Sequence, residues 1–193
     1  QSKFYESNES KGIYSLLKFS NSHYLSDHLV EVRTLKKHCE YHKIKNIFFL
    51  KIDTEGHDLN VLRGIDWDRH HPEIILCEFE DNKTKLLDYS TKDLISFLRD
   101  KNYKIFISEW HPIIKYGIQH DWKTLKEYPY NPDKNSWGNI LAFKNQNIST
   151  DYVKNCFLQK IKINNKKESN PENIQIKDIK NNLEQIKNER TAK

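Results

Sequence analysis

The sequence predicts an α/β fold built on a mostly parallel sheet. Runs of strand type occupy residues 46–53, 73–80 and 103–108, and segments with helical spacing lie between them. Each connection is long enough for a helical crossover, and such right-handed crossovers join parallel strands. The first two runs also end in acids: Asp53 and Glu55 follow FFLKI, and Glu78 and Glu80 close EIILCEFE. Bulky apolar residues followed by carboxylates and Gly56 describe a buried strand that delivers acids to the carboxyl edge of the sheet. In open α/β sheets that edge is where ligands bind.

Each element follows in order. Residues 1–29 are polar and irregular, with short strands expected at 3–6 and 13–17. Residues 29–33 read as a strand, and Thr34 then caps a helix running to about residue 43, with Leu35, His38, Cys39 and His42 at helical spacing. The run 46–53 is read as the central strand. A short helix over 57–63 ends at Gly64. Pro72 precedes the second strand, and Ser90 or Thr91 with Asp93 caps a helix to about residue 101 that places Leu94, Ile95, Phe97 and Leu98 on one face. A strand at 103–108, a long aromatic loop at 109–137 and a last strand at 139–144 complete residues 1–144.

Beyond residue 144 the composition changes. Ten of the last 49 residues are Asn and charge is dense, so 145–193 reads as a polar linker or tail. Ile176, Ile179, Leu183 and Ile186 could still make one short amphipathic helix that needs a partner surface. The net charge of +5 invites a nucleic-acid reading, but its distribution argues against one. Residues 145–193 hold 10 Lys and Arg against 6 Asp and Glu, whereas residues 1–144 hold 22 against 21 and show no concentrated basic face. No run of ~18 apolar residues exists to span a membrane, and the first 30 residues lack a signal-type apolar core. Cys39, Cys77 and Cys156 are widely separated, which favours free thiols, a reducing compartment and hence the cytoplasm. The chain contains no Met, so Gln1 is read as the first residue of a piece of a longer polypeptide.

Strand alternation puts Phe49, Lys51 and Asp53 on one face, and Glu78 and Glu80 share a face of the neighbouring strand. A Lys inside an apolar strand needs a counter-charge, so a Lys51–Glu78 or Lys51–Glu80 ion pair is expected. Asp53 is the first candidate for chemistry. Glu55 and Glu80 divide between a functional and a structural role, because a carboxylate at a helix start is stabilised by the helix dipole alone, and Glu78 reads as structural. His57 lies beside the carboxylates, and His111 and His120 lie in the aromatic loop. All three are candidate acids, bases or substrate contacts. His38 and His42 lack the Glu that a metalloprotease helix needs. Trp110, Trp122, Tyr128, Tyr130 and Trp137 could stack on a sugar ring or simply roof the core.

Three segments, VEVRTLKKHC (30–39), FFLKIDTEGHDLNVLRG (48–64) and PEIILCEFED (72–81), occur in an order and spacing that resemble the FkbM family of S-adenosylmethionine-dependent methyltransferases. WHPIIKYGIQHDW and WGNILAF look like segments of members found beside bacterial surface-polysaccharide genes. The resemblance covers about residues 3–144. It implies the second half of a Rossmann-like class I methyltransferase sheet, mostly parallel, beginning after the third of seven strands. It also implies methyl transfer to a hydroxyl, on a sugar or glycan acceptor. Asp53 would then be the base or a metal ligand, His57 an alternative base and Glu55 a catalytic partner, while Trp110, His111 and His120 meet the substrate. Asp53 with Glu55 and Glu80 could hold Mg²⁺. The family's glycine-rich turn and its ribose-binding acid are missing, so the chain is expected to bind the cofactor poorly and to be inactive alone, with an exposed edge at residues 46–53. The rivals are a non-catalytic half-domain or interaction module, whose tail links to another domain or partner, and a Mg²⁺-dependent nuclease or phosphodiesterase.

Overall fold

A computed structural model of the chain describes residues 1–156. The amphipathic segment expected at 176–186 lies outside the described residues. The chain divides into two units, Gln1–Ile148 and Ser149–Lys193, and the first holds every named element.

At the start of that unit β1 (Tyr5–Ser7) pairs antiparallel with β2 (His23–Leu25) in a two-stranded sheet. The strand expected at 13–17 is a 3₁₀ turn, Lys11–Ile13, followed by a single bridge from Ser15 to Tyr5. Residues 29–33 contribute only a bridge between Val30 and Ser2. Thr34 does cap α1 (Leu35–Tyr41), its hydroxyl accepting the Lys37 N–H at 3.3 Å.

The main sheet contains β3 (Phe49–Ile52), β4 (Ile74–Glu80), β5 (Lys104–Trp110), β6 (Trp122–Glu127) and β7 (Trp137–Phe143), in the spatial order β3-β4-β7-β5-β6. The expected mostly parallel, Rossmann-like sheet is overturned here. Only β3 and β4 pair in parallel; β4–β7, β7–β5 and β5–β6 are all antiparallel, so the sheet is mixed. The reason lies in 109–137. That segment leaves β5 at the carboxyl edge, contains β6 where the sequence predicts only loop, and re-enters without a crossover helix. The strand it re-enters therefore runs the opposite way and inserts between β4 and β5.

The crossover logic survives for the helices. Helix α2 (Asp58–Arg63) joins the parallel neighbours β3 and β4. Helix α4 (Thr91–Asp100) joins β4 to β5, which run in the same direction one strand apart. Ser90 and Asp93 close the expected capping box at the start of α4. Leu59 and Leu62 of α2 and Leu94, Ile95 and Leu98 of α4 pack on the face carrying Ile75, Cys77, Ile107, Ile140 and Ala142. This is the period-2 face of the strands meeting the apolar stripe of the helices.

Strand β3 is an edge strand and not the centre of the sheet. Phe48 and Phe49 remain 39% and 51% exposed, matching the expected open edge. Gly138 holds the middle of the sheet together. A Cβ there would stand 2.0 Å from the Ser108 carbonyl oxygen, so only glycine lets β7 approach β5 this closely.

Candidate functional site

The carboxyl ends of β3, β4 and β5 and the start of β7 meet at one edge of the sheet. After β3 the chain turns sharply: Glu55 has φ 54° and Gly56 φ 105°. The Ser15 hydroxyl donates to the Glu55 carbonyl at 3.2 Å and the Tyr89 hydroxyl to the Gly56 carbonyl at 2.6 Å, which pins the turn from both sides. Asp58 ties the same turn to β4. Its Oδ2 accepts the Thr54 hydroxyl at 2.9 Å and its Oδ1 accepts the Glu78 N–H at 2.9 Å. Burial raises the Asp58 pKa, and these donors only partly offset it.

A residue that the sequence reading missed organises the acids. Lys83, in the four-residue helix α3 (Asp81–Thr84) that follows β4 directly, is 2% exposed. Its Nζ lies 2.5 Å from Glu55 Oε2, 2.8 Å from Glu80 Oε2 and 3.5 Å from Glu78 Oε2. The rings of Phe19 and Tyr116 lie over it, with centroids at 4.9 and 5.8 Å. The only advance sign was the spacing EFEDNK, which puts a Lys three residues after Glu80.

The expected pairing of Lys51 with Glu78 or Glu80 does not occur. Lys51 stands opposite Leu76 on the open edge, is exposed, and bonds Asp53 Oδ2 at 2.7 Å. An edge strand leaves its lysine access to water, so the burial that demanded a partner deeper in the sheet is absent.

Burial raises Glu55 and pushes Glu78 up to about 8, although Lys83 opposes both shifts. Burial also works against the Lys83 ammonium, but Glu78, Glu80 and Glu55 outweigh it and its pKa rises. One oxygen each from Asp53, Glu55 and Glu78 lies within 4.8 Å of the others, close enough to share a cation. Glu80, which sequence reasoning paired with Asp53, rests on Lys83 instead.

His57 precedes α2 directly. Its Nε2 is enclosed without a partner, Asn60 lies 3.3 Å from its Nδ1, and burial lowers its pKa. Trp110 packs at a tilt on Trp137, with centroids 5.6 Å apart, and His120 meets the edge of Trp137 at 5.2 Å. His111 is exposed; its carbonyl accepts the Trp137 Nε1 hydrogen at 3.0 Å. Trp137 stands opposite Glu80 in register, so this aromatic group and the acids share one edge.

Farther along the edge Glu109 is fully buried. Lys123 approaches it at 2.9 Å, the Asp133 N–H donates at 2.8 Å, and the Tyr130 hydroxyl donates as well. Burial pushes the Glu109 pKa up, but these donors prevail and hold it below the usual value.

The five glycines stand singly at 12, 56, 64, 117 and 138. None belongs to a glycine-rich strand–turn–helix of the kind that lets a backbone close on a cofactor. No helix among the described residues is long and apolar enough to cross a membrane. No curated protein and no solved structure matches the chain. Residues 1–105, which include both acid-bearing strand ends and Lys83, match the methyltransferase FkbM domain. With more than half of its length in that match, the chain belongs to the FkbM family of S-adenosylmethionine-dependent methyltransferases.

Proposed function

We propose that the carboxylate edge is the acceptor side of an O-methyltransferase site, and that the acceptor is a sugar hydroxyl in surface-polysaccharide synthesis. The observation that carries this reading is the position of Asp53. It is the exposed acid beside a buried set of carboxylates that Lys83 holds, and Lys51 bonds its Oδ2. An incoming hydroxyl can donate to Asp53, which takes the proton as the oxygen becomes a nucleophile. The Lys51 ammonium, 2.7 Å from its Oδ2, holds that carboxylate in place. S-adenosylmethionine, when bound, supplies a methyl group on a positively charged sulfur.

His57 is the second choice of base, because its Nε2 is enclosed by protein. Glu55, anchored on Lys83, fixes the turn that presents Asp53. Trp110, His111 and His120 supply an aromatic and polar wall on which a sugar ring can stack and hydrogen-bond. A divalent ion on Asp53 and Glu80 is the other way to activate a hydroxyl, and the lysine 2.8 Å from Glu80 counts against it. Three free cysteines, two of them buried, support residence in the reducing cytoplasm.

Because the glycines form no cradle, this chain on its own is expected to bind the cofactor weakly and to turn over slowly, if at all. Calorimetric titration of S-adenosylmethionine into this chain, and into any longer polypeptide containing it, measures that. Activity is read as transfer of a labelled methyl group to a glycan pool, with the methylated atom identified by mass spectrometry. Asp53→Asn is expected to lower transfer by about 100-fold. Full activity in that variant, or methylation at nitrogen or carbon, would sink the reading.

A further inference from the structure

We propose that Lys83 is the resident cation of the carboxylate edge: its ammonium fills the position among Glu55, Glu78 and Glu80 that a divalent metal ion would take. The geometry is that of a three-donor group facing three acceptors. Its contacts run to one oxygen of each glutamate, at 2.5, 3.5 and 2.8 Å for Glu55, Glu78 and Glu80. The lysine is anchored in the turn of helix that leaves β4, three residues after Glu80, so its reach is set by the backbone and not by a long flexible approach.

The surroundings also suit an ammonium better than a metal. Mg²⁺ takes six oxygens at short range and retains several waters, and Ca²⁺ takes six to eight oxygens. Here the far side of the cation is covered by the ring faces of Phe19 and Tyr116, which come from two separate segments of the chain. Aromatic faces attract an organic cation and supply no metal ligand. Asp53, the exposed acid beside these three, has its own lysine in Lys51. Asp53, Glu55, Glu78 and Glu80 are thus each matched by an ammonium. The proposal concerns the same residues as the acceptor site above, but it is tested without reading methyl transfer, so either idea can fail alone.

The test is a Mn²⁺ titration of the whole chain, with free ion followed by electron paramagnetic resonance. Wild type, Lys83→Met, Lys83→Arg and the double variant Lys83→Met with Glu55→Gln are compared, and a Glu55→Gln single variant identifies the site. The wild type is expected to show no binding, up to about 1 mM, that Glu55→Gln removes. Lys83→Met is expected to gain a Mn²⁺ site at least about tenfold tighter than any in the wild type. Adding Glu55→Gln should abolish the gain, and Lys83→Arg should not show it. A wild-type Mn²⁺ site lost in Glu55→Gln would overturn the proposal whatever the folding of the other variants. So would a Lys83→Met protein that melts cooperatively by circular dichroism yet gains no site. If Lys83→Met fails to fold, the wild-type titration decides.

Discussion

Two buried groups of Glu and Lys lie along the same sheet edge and behave in opposite ways. Around Glu109 the donors converge on a single acid: an ammonium, a backbone N–H and a phenol. Its pKa falls below the ordinary value despite complete burial. Around Lys83 a single ammonium serves three acids, and burial raises Glu55 and Glu78. The contrast shows one chemistry shifting buried acids in opposite directions. An acid with several donors is held below its usual range and locks its loop, whereas Glu78, sharing one cation with two other acids, is pushed up by burial to about 8. The family match follows the same division, since it covers the Lys83 group and ends before Glu109.

The comparison can be broken at Glu109 with the largest effect. Glu109→Ala leaves the Tyr130 hydroxyl, the Asp133 N–H and Lys123 without their common acceptor, and we expect a loss of about 3 kcal/mol in urea unfolding. A loss below about 1 kcal/mol would mean that Glu109 is not the anchor described here. Gly138→Ala comes next, at about 2 kcal/mol, because the added methyl must push β7 off the Ser108 carbonyl. Tyr130→Phe removes one donor of several, so about 1 kcal/mol is expected from the same unfolding curves.

The smallest effect is expected for Glu78→Gln, within about 0.5 kcal/mol at pH 6, since the native side chain is already mostly protonated there. Its signature lies in the pH profile. Glu78 faces Lys83, Glu55, Asp53 and Asp58. Its pKa rises from 4.5 unfolded to about 8 folded, so the folded state holds a proton that the unfolded state releases. The resulting stability is complete below about pH 4.5 and is lost as pH climbs to about 8. Glu109 has the opposite sign: its contribution is present above the unfolded pKa and is lost as the solution is acidified. Glu78→Gln should therefore flatten the alkaline decline in stability, and Glu109→Gln the acid one. Identical pH profiles for the two variants would dissolve the distinction.

Much of this edge was legible beforehand, because its signals are local. Thr34 and the Ser90–Asp93 box announce helix starts through short-range hydrogen bonds, and FFLKID and EIILCEFE announce strands that end in acids. What was hidden depends on partners distant in the chain. Alternation gives the faces of a strand but not its direction, so the antiparallel insertion of β7 left no trace in residues 137–143. The six-residue β6, WKTLKE, has charged residues at Lys123, Lys126 and Glu127, shows no clean alternation and merges with its polar surroundings. Lys51 drew attention because it interrupts an apolar run, while Lys83 sits in the polar stretch DNKTK and becomes buried only when β3, β4 and two distant aromatic rings close around it.

The turn at Glu55 sets backbone strain against a buried ion pair at a single position. Backbone at φ 54° costs a residue with a Cβ roughly 1 kcal/mol, which glycine would avoid. Gly or Asn at 55 would relieve that strain but would remove the carboxylate 2.5 Å from the buried Lys83, a loss of about 3 kcal/mol. A library screened for heat resistance alone should therefore keep glutamate at 55 despite its backbone.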